Sequence, residues 1–135
     1  MKQLVILQTD HCPCGSQKSF GDCCGRYLSR SSVAETAEQL MRSRYCAFLL
    51  EDSDYLLHTW HHDERPTVLN FESDIKWLGL KVKETKAGTK HDSEGWVHFV
   101  ARYRQQGKGS RIDEYSYFTK QQVNGQLMWQ YVRAD

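Results

Sequence analysis

The chain has 135 residues, with 18 Lys plus Arg against 17 Asp plus Glu and a formal net charge of +1. At roughly 100–200 residues per domain this is one domain with at most a small appended module, and the even charge weighs against nucleic acid as a partner, which would need a basic stripe over one face. The longest apolar stretches, residues 4–7 and 46–50, fall far short of the ~20 residues of a bilayer span or the ~7–15 of a secretory core, so a cytoplasmic protein with no membrane contact is expected.

Four of the five cysteines cluster at Cys12, Cys14, Cys23 and Cys24, and the fifth, Cys46, stands apart. Adjacent cysteines such as Cys23 and Cys24 strain a disulfide, and no export signal argues for an oxidising compartment. The expected chemistry is therefore a soft metal held by four thiolates, zinc first and an iron–sulfur cluster as the alternative. With every position a protein thiolate, none is left for water or substrate, so the site reads as structural. Pro13 fixes φ between the first two thiols, and Gly15, Gly21 and Gly25 permit tight turns around an ion. Phe20 is expected to supply an apolar floor, and Lys18 and Arg26 to offset the negative charge of the zinc–thiolate group.

Ser32-x-x-Glu35 has the pattern of a capping box, and Val33, Ala37, Leu40, Met41, Tyr45, Phe48 and Leu49 recur at helical spacing, which predicts a helix from about Val33 to Leu50. A second, shorter helix opens at Asp52 or Ser53 and takes in Leu56, Leu57 and Trp60; Pro66 breaks the chain, and a turn of helix is expected over residues 67–72. Strands are predicted at residues 76–85, 96–104, 112–120 and 127–132. Asn124-Gly125 suits a type I′ hairpin turn, and residues 87–95 and 105–110 read as polar connections. Alternation places Phe99, Ala101 and Tyr103 on one face and His98, Val100 and Arg102 on the other, without saying which face looks inward. Helices first and an antiparallel meander afterwards make an α+β fold with the helices on one sheet face. A zinc-binding segment over residues 1–30 then precedes an α+β domain over residues 31–135, with no Gly/Ser linker between them.

The pattern Cys12-x-Cys14-x₈-Cys23-Cys24 resembles the SEC-C motif, the zinc-binding segment found at the C-terminus of the SecA translocation ATPase and in many other bacterial proteins, with Gln17 where that motif usually carries glycine. The remainder is similar to the middle domain of the YchJ family. The stretches that carry this are Leu40-Met41-Arg42-Ser43-Arg44-Tyr45, Asp54-Tyr55-Leu56, Thr59-Trp60-His61, Trp77-Leu78-Gly79-Leu80 and Phe99-Val100-Ala101-Arg102-Tyr103, followed by Glu114, Ser116 and Phe118. Tyr115 and Tyr117 stand where arginines are expected, and the sequence reaches Asp135 without the second SEC-C motif that family members often carry. The resemblance implies a SEC-C zinc knuckle followed by a nuclear transport factor 2-like cone of helices on a curved antiparallel sheet.

Such a cone is open at one end, where a small ligand would sit. Its expected walls are Trp77, Trp96, Phe99, Tyr103, Tyr115, Tyr117, Phe118, Trp129 and Tyr131, and an aromatic core that fills the cone is the competing reading. The candidate cavity residues are Arg44, Trp60, His61, Trp77, Arg102 and Glu114, with Arg42 or Arg44 entering the cone to pair Glu114. His58, His61 and His62 fall at i, i+3 and i+4, beside Asp63 and Glu64, and read either as a second metal site or as a solvated helix end. Cys46 with His58 is the nucleophile–base pair to consider, yet a cysteine in an apolar helix behaves as a small hydrophobe. Gly107-Lys108-Gly109-Ser110 lacks P-loop spacing, and neither G-x-S-x-G nor H-E-x-x-H occurs, so no assembled catalytic set is visible. The expected function is a protein-interaction module whose structural zinc knuckle meets a protein partner, as the SecA resemblance implies, with the cone as scaffold. The alternative is a small-molecule-binding protein or an enzyme of isomerase, dehydratase or hydrolase type, using Glu114 and a base such as His61.

Overall fold

The structure is a computed structural model that describes residues 4–135. Three helices, α1 (Cys24–Leu28), α2 (Ala37–Leu50) and α3 (Ser53–His58), precede four strands, β1 (Ile75–Ala87), β2 (Glu94–Gln105), β3 (Lys108–Val123) and β4 (Gln126–Ala134). The strands form one antiparallel sheet in the order β1-β2-β3-β4. The α+β class, with helices ahead of a four-stranded antiparallel meander, is the one expected from the sequence; α1 was not foreseen.

Helix α2 starts one turn later than predicted. The Thr36 hydroxyl accepts from Gln39 N at 3.1 Å, while Gln39 Oε1 accepts from Glu35 N at 2.8 Å, so Thr36-x-x-Gln39 closes the cap in place of Ser32-x-x-Glu35. The preceding segment is held outside the helix, because Ser32 N and the Ser31 hydroxyl both donate to Arg26 O. Glu51 ends the helix in the left-handed region, at φ 55°, and Asp52 opens α3 by accepting from Tyr55 N. Trp60 lies beyond α3 and bridges to Tyr131. Residues 67–72 form no helix: the segment after Pro66 runs irregularly, its Leu69 and Phe71 packing on the core.

Two hairpins close on two-residue turns. Asn124 and Gly125 have φ of 51° and 83°, and Gln106 and Gly107 have 52° and 78°, the left-handed pairs that a tight hairpin demands. The expected 105–110 connection is thus mostly strand. Between β1 and β2 the backbone doubles back so closely that a Cβ on Gly95 would fall 2.3 Å from Gly88 Cα. Gly88 O there accepts from Ala37 N at 2.9 Å, tying the start of α2 to the sheet.

Bulges between Trp77 and Gly79, between Val82 and Glu84, and opposite Tyr117 and Phe118 curve the sheet over α2. The inward face carries Val97 and Ala101 of β2, Phe118 of β3 and Trp129 of β4, packed on Leu40, Met41, Tyr45 and Ala47 of α2 and Leu56 of α3. Phe99, Ala101 and Tyr103 therefore look inward. Cys12, Cys14, Cys23, Cys24 and Cys46 belong to the same buried cluster, so the N-terminal segment is fused to the cone through the core.

Candidate metal centre and cone cavity

The cysteine segment is folded by its own backbone. Cys12 N donates to Lys18 O at 2.8 Å, Gly15 N returns to Cys12 O at 3.2 Å, and His11 bridges to Ser19. A short 3₁₀ turn at Phe20–Asp22 delivers Cys23, and Cys24 opens α1. Phe20 is buried and lies so close to Gly25 that a Cβ there would meet Phe20 O at 2.7 Å; only glycine lets α1 settle on that ring.

The Sγ atoms of Cys12, Cys14, Cys23 and Cys24 all lie within 4.8 Å of one another. A tetrahedral ion with bonds of about 2.3 Å sets its sulfurs about 3.8 Å apart. The Cys14–Cys23 separation of 3.7 Å and the Cys23–Cys24 separation of 4.0 Å match that edge, so the donor set fits a metal. Hydrogen bonds from the thiols of Cys14, Cys24 and Cys46, and from a backbone N–H, hold the Cys12 thiol far below its usual range. Its hydrogen bonds to Cys12, Cys14 and Cys46, with burial, keep Cys24 protonated, and burial raises Cys23, which also hydrogen-bonds Ser16 Oγ at 3.1 Å. Thiols crowded this closely must give up protons to bind a cation, so metal uptake is coupled to proton release.

Cys46, on α2, brings its Sγ to 3.7 Å from that of Cys12, so it is a neighbour of the centre rather than a packing residue alone. Arg42 reaches the same place: Nη1 donates to Cys14 O at 2.7 Å while Nε pairs with Glu38 at 2.9 Å. Arg26 donates to Cys23 O at 3.2 Å. Sequence reasoning assigned Arg26 to this centre but missed Arg42 and Cys46, because a contact across 28 or 34 residues leaves no local pattern.

Between α2 and the curved sheet lies a cavity of about 430 Å³, walled by apolar groups such as Tyr45, Phe48, Trp77, Phe99 and Phe118. Arg44 enters it from α2. The side chain is only 6% exposed, and its Nη1 donates to Leu56 O at 2.8 Å and Thr59 Oγ1 at 2.7 Å. Its guanidinium lies 5.0 Å from the Trp60 ring and 4.7 Å from the Tyr131 ring. Burial lowers its pKa to about 10, which leaves it charged at neutral pH. Glu114, from β3, lines the same cavity, with Oε2 accepting from the Ser116 hydroxyl and from Tyr131 OH at 3.1 Å. Burial, then the Glu114 charge, pushes the Tyr131 phenol up. Among the described residues Arg44 makes no ion pair; the predicted Arg44–Glu114 bridge is replaced by a cation and a carboxylate held apart across the Tyr131 ring.

Trp60, Trp77, Arg44 and Glu114 thus line one cavity, and two of the six candidate cavity residues do not. Arg102 is exposed on the outer face, because β2 turns Phe99, Ala101 and Tyr103 inward. His61 sits outside the cavity, its N–H bonded to Tyr131 O and its ring stacked on His62. Five of the expected wall residues do not line the cavity: Trp96 packs on Tyr117 and Tyr115 on His98 on the sheet's outer side, Tyr103 packs behind Trp77, and Trp129 is buried in the core. His61, His62 and Asp63 do converge, but without His58, since α3 ends there and breaks the i, i+3, i+4 spacing. Trp60 Nε1 is buried without a partner, one unsatisfied donor beside the Arg44 charge. No helix among the described residues is long and apolar enough to cross a membrane.

Residues 9–26 match the SEC-C motif, and residues 36–134 match the middle NTF2-like domain of YchJ. The UPF0225 protein of Bordetella pertussis is 45% identical over 127 residues, covering 92% of this chain and 91% of its own. That of Streptomyces coelicolor is 42% identical over 114 residues, covering 84% and 89%. The solution structure of a SEC-C motif containing protein from Rhodopseudomonas palustris superposes with a TM-score of 0.77 at 33% identity, over 93% of this chain and 97% of that one. A SEC-C motif containing protein from Psychrobacter arcticus shares the fold, with a TM-score of 0.76 at 24% identity over 93% and 82% of the two chains. With both of its segments matched and close relatives along nearly its whole length, this chain belongs to the YchJ (UPF0225) family.

Proposed function

We propose that this protein binds a small molecule in the cone cavity and that a structural zinc ion on Cys12, Cys14, Cys23 and Cys24 holds the N-terminal segment in the fold that packs on α2. The observation that carries the binding reading is Arg44, a buried cation without an acidic partner among the described residues, facing an apolar cavity of about 430 Å³. Cavities of roughly 300–1,000 Å³ with apolar walls and a few convergent polar groups are the usual form of a ligand site. Zinc suits the four-sulfur set and its spacing, and would supply cross-linking rather than chemistry, with all four positions taken by protein. Five unbridged cysteines suit a reducing compartment such as the cytoplasm, which supports that location as part of this reading.

Titration with Nile red, a neutral apolar dye, tests the cavity. Enhanced, blue-shifted emission is expected, and Ile112→Trp at the rim should weaken it while leaving zinc content unchanged. Absence of any emission change with the folded wild-type protein would overturn the reading.

A second reading, that the knuckle region also meets a protein partner, is favoured by one feature: Leu4, Val5 and Leu7 are 53%, 70% and 60% exposed just before the cysteines. Replacing the three with serine should abolish co-purification of a partner without loss of zinc; undiminished capture would count against it.

A further inference from the structure

We infer that the ligand of the cone is an aromatic carboxylic acid that carries a hydroxyl or amino donor at the far end of its ring system, an assignment that rests on the cavity being a binding site. Of the Arg44 guanidinium, Nη1 is taken by Leu56 O and Thr59 Oγ1, whereas Nε and Nη2 have no acceptor among the described residues. Those nitrogens are not sealed off, since Trp60 Nε1 is the buried side-chain donor without a partner among the described residues. Nε and Nη2 form the fork that matches the two oxygens of a carboxylate. The guanidinium is already oriented by its bonds and by the rings of Trp60 and Tyr131, so little freedom is lost on binding.

The other end of the site has the opposite need. Glu114 uses Oε2 for Ser116 and Tyr131, and its Oε1 takes no donor from the described residues. Tyr131 stands between the two groups, with Arg44 over its ring face and Glu114 on its hydroxyl, and all three line the same cavity. A ligand acid paired with Arg44 is kept off Glu114 by the intervening Tyr131, and a phenolic O–H or aryl N–H at its other end would meet the need of Oε1. Between the two ends the walls are aromatic, among them Phe48, Trp77, Phe99 and Phe118, and favour a flat apolar body over an aliphatic polyol or a phosphate ester.

The four tryptophans serve as reporters. Trp60 and Trp77 line the cavity, Trp129 is in the core and Trp96 lies on the outer face, bonded to Asp135. In a ¹⁵N–¹H spectrum, 4-hydroxycinnamate should shift the indole signals of Trp60 and Trp77 and leave Trp96 in place. Cinnamate, without the donor, should bind about tenfold more weakly, and 4-hydroxybenzyl alcohol, without the acid, weaker by a similar factor. Arg44→Lys keeps the charge and removes the fork, so it should lower affinity for both acids at least several-fold, and Arg44→Met should abolish binding. Glu114→Gln should erase the preference for 4-hydroxycinnamate over cinnamate. If Nile red binds and no aromatic acid moves Trp60 or Trp77 at millimolar concentration, the ligand class is wrong and the cavity reading stands. If neither binds, both fall. Equal affinity of the three probes, or of wild type and Arg44→Lys for 4-hydroxycinnamate, would also overturn the assignment.

Discussion

Gln17 adopts a φ of 70° in the turn between Cys14 and Cys23, the left-handed region where an L side chain crowds its own backbone. The side chain is exposed, so nothing it touches offsets that strain. Gln17→Gly should raise stability by about 0.5–1 kcal/mol after the added freedom of the unfolded chain is subtracted, as urea unfolding of the zinc-loaded protein would show. Tyr45 and Tyr55 report on burial in another way. Each phenol is pushed up to about 12, burial being the main cause, and Tyr55 also shares a hydrogen bond with Ser43 at 2.7 Å. In the unfolded chain both ionise near 10.0, so between these values the folded state binds more protons than the unfolded one. Their contribution to stability is complete below about pH 10 and is lost as pH rises toward about 12. Unfolding free energy should fall steeply across that window, and Tyr55→Phe should remove part of the slope. Cys12, Cys14, Cys23 and Cys24 were legible as a set because their spacing is local. Arg44 was legible as a candidate, but its lack of an acidic partner was not, since that depends on where β3 and β4 place Glu114 and Tyr131.

The elements show where local pattern suffices and where it competes with itself. The strands were readable from aromatic and β-branched residues, and the Asn124–Gly125 turn from its composition. The Gln106–Gly107 turn has the same backbone but lacks the asparagine that signals it, so the strands around it seemed shorter than they are. Two capping patterns overlap before α2, and sequence alone does not rank them; the one joined to Gly88 O through Ala37 N prevails. Thr36→Ala should therefore destabilise the protein by about 1 kcal/mol, whereas Ser32→Ala should change stability by less than about 0.5 kcal/mol, measured in the same denaturant series. Which face of β2 looks inward was also beyond the alternation, because both faces carry aromatic residues: Phe99 and Tyr103 on one, Trp96 on the other.

Across the whole molecule, α2 joins the two sites. Arg42 and Cys46 meet the cysteine cluster, while Met41, Arg44, Tyr45 and Phe48 line the cavity. The cluster and the cone share one buried core, so metal loss should be felt in the cavity. Chelation at neutral pH should lower the melting temperature and weaken Nile red binding together, and acidification should release metal as protons compete for the sulfurs. Cys46→Ser should keep the metal, because the four-sulfur set is complete without it, whereas Cys12→Ser or Cys24→Ser should lose it. Native mass spectrometry of gently purified protein with added 4-hydroxycinnamate puts both sites in one reading. The wild type should carry one zinc ion and one ligand, and Arg44→Met should carry zinc alone. A folded wild type free of metal, or a ligand retained equally by Arg44→Met, would contradict the account.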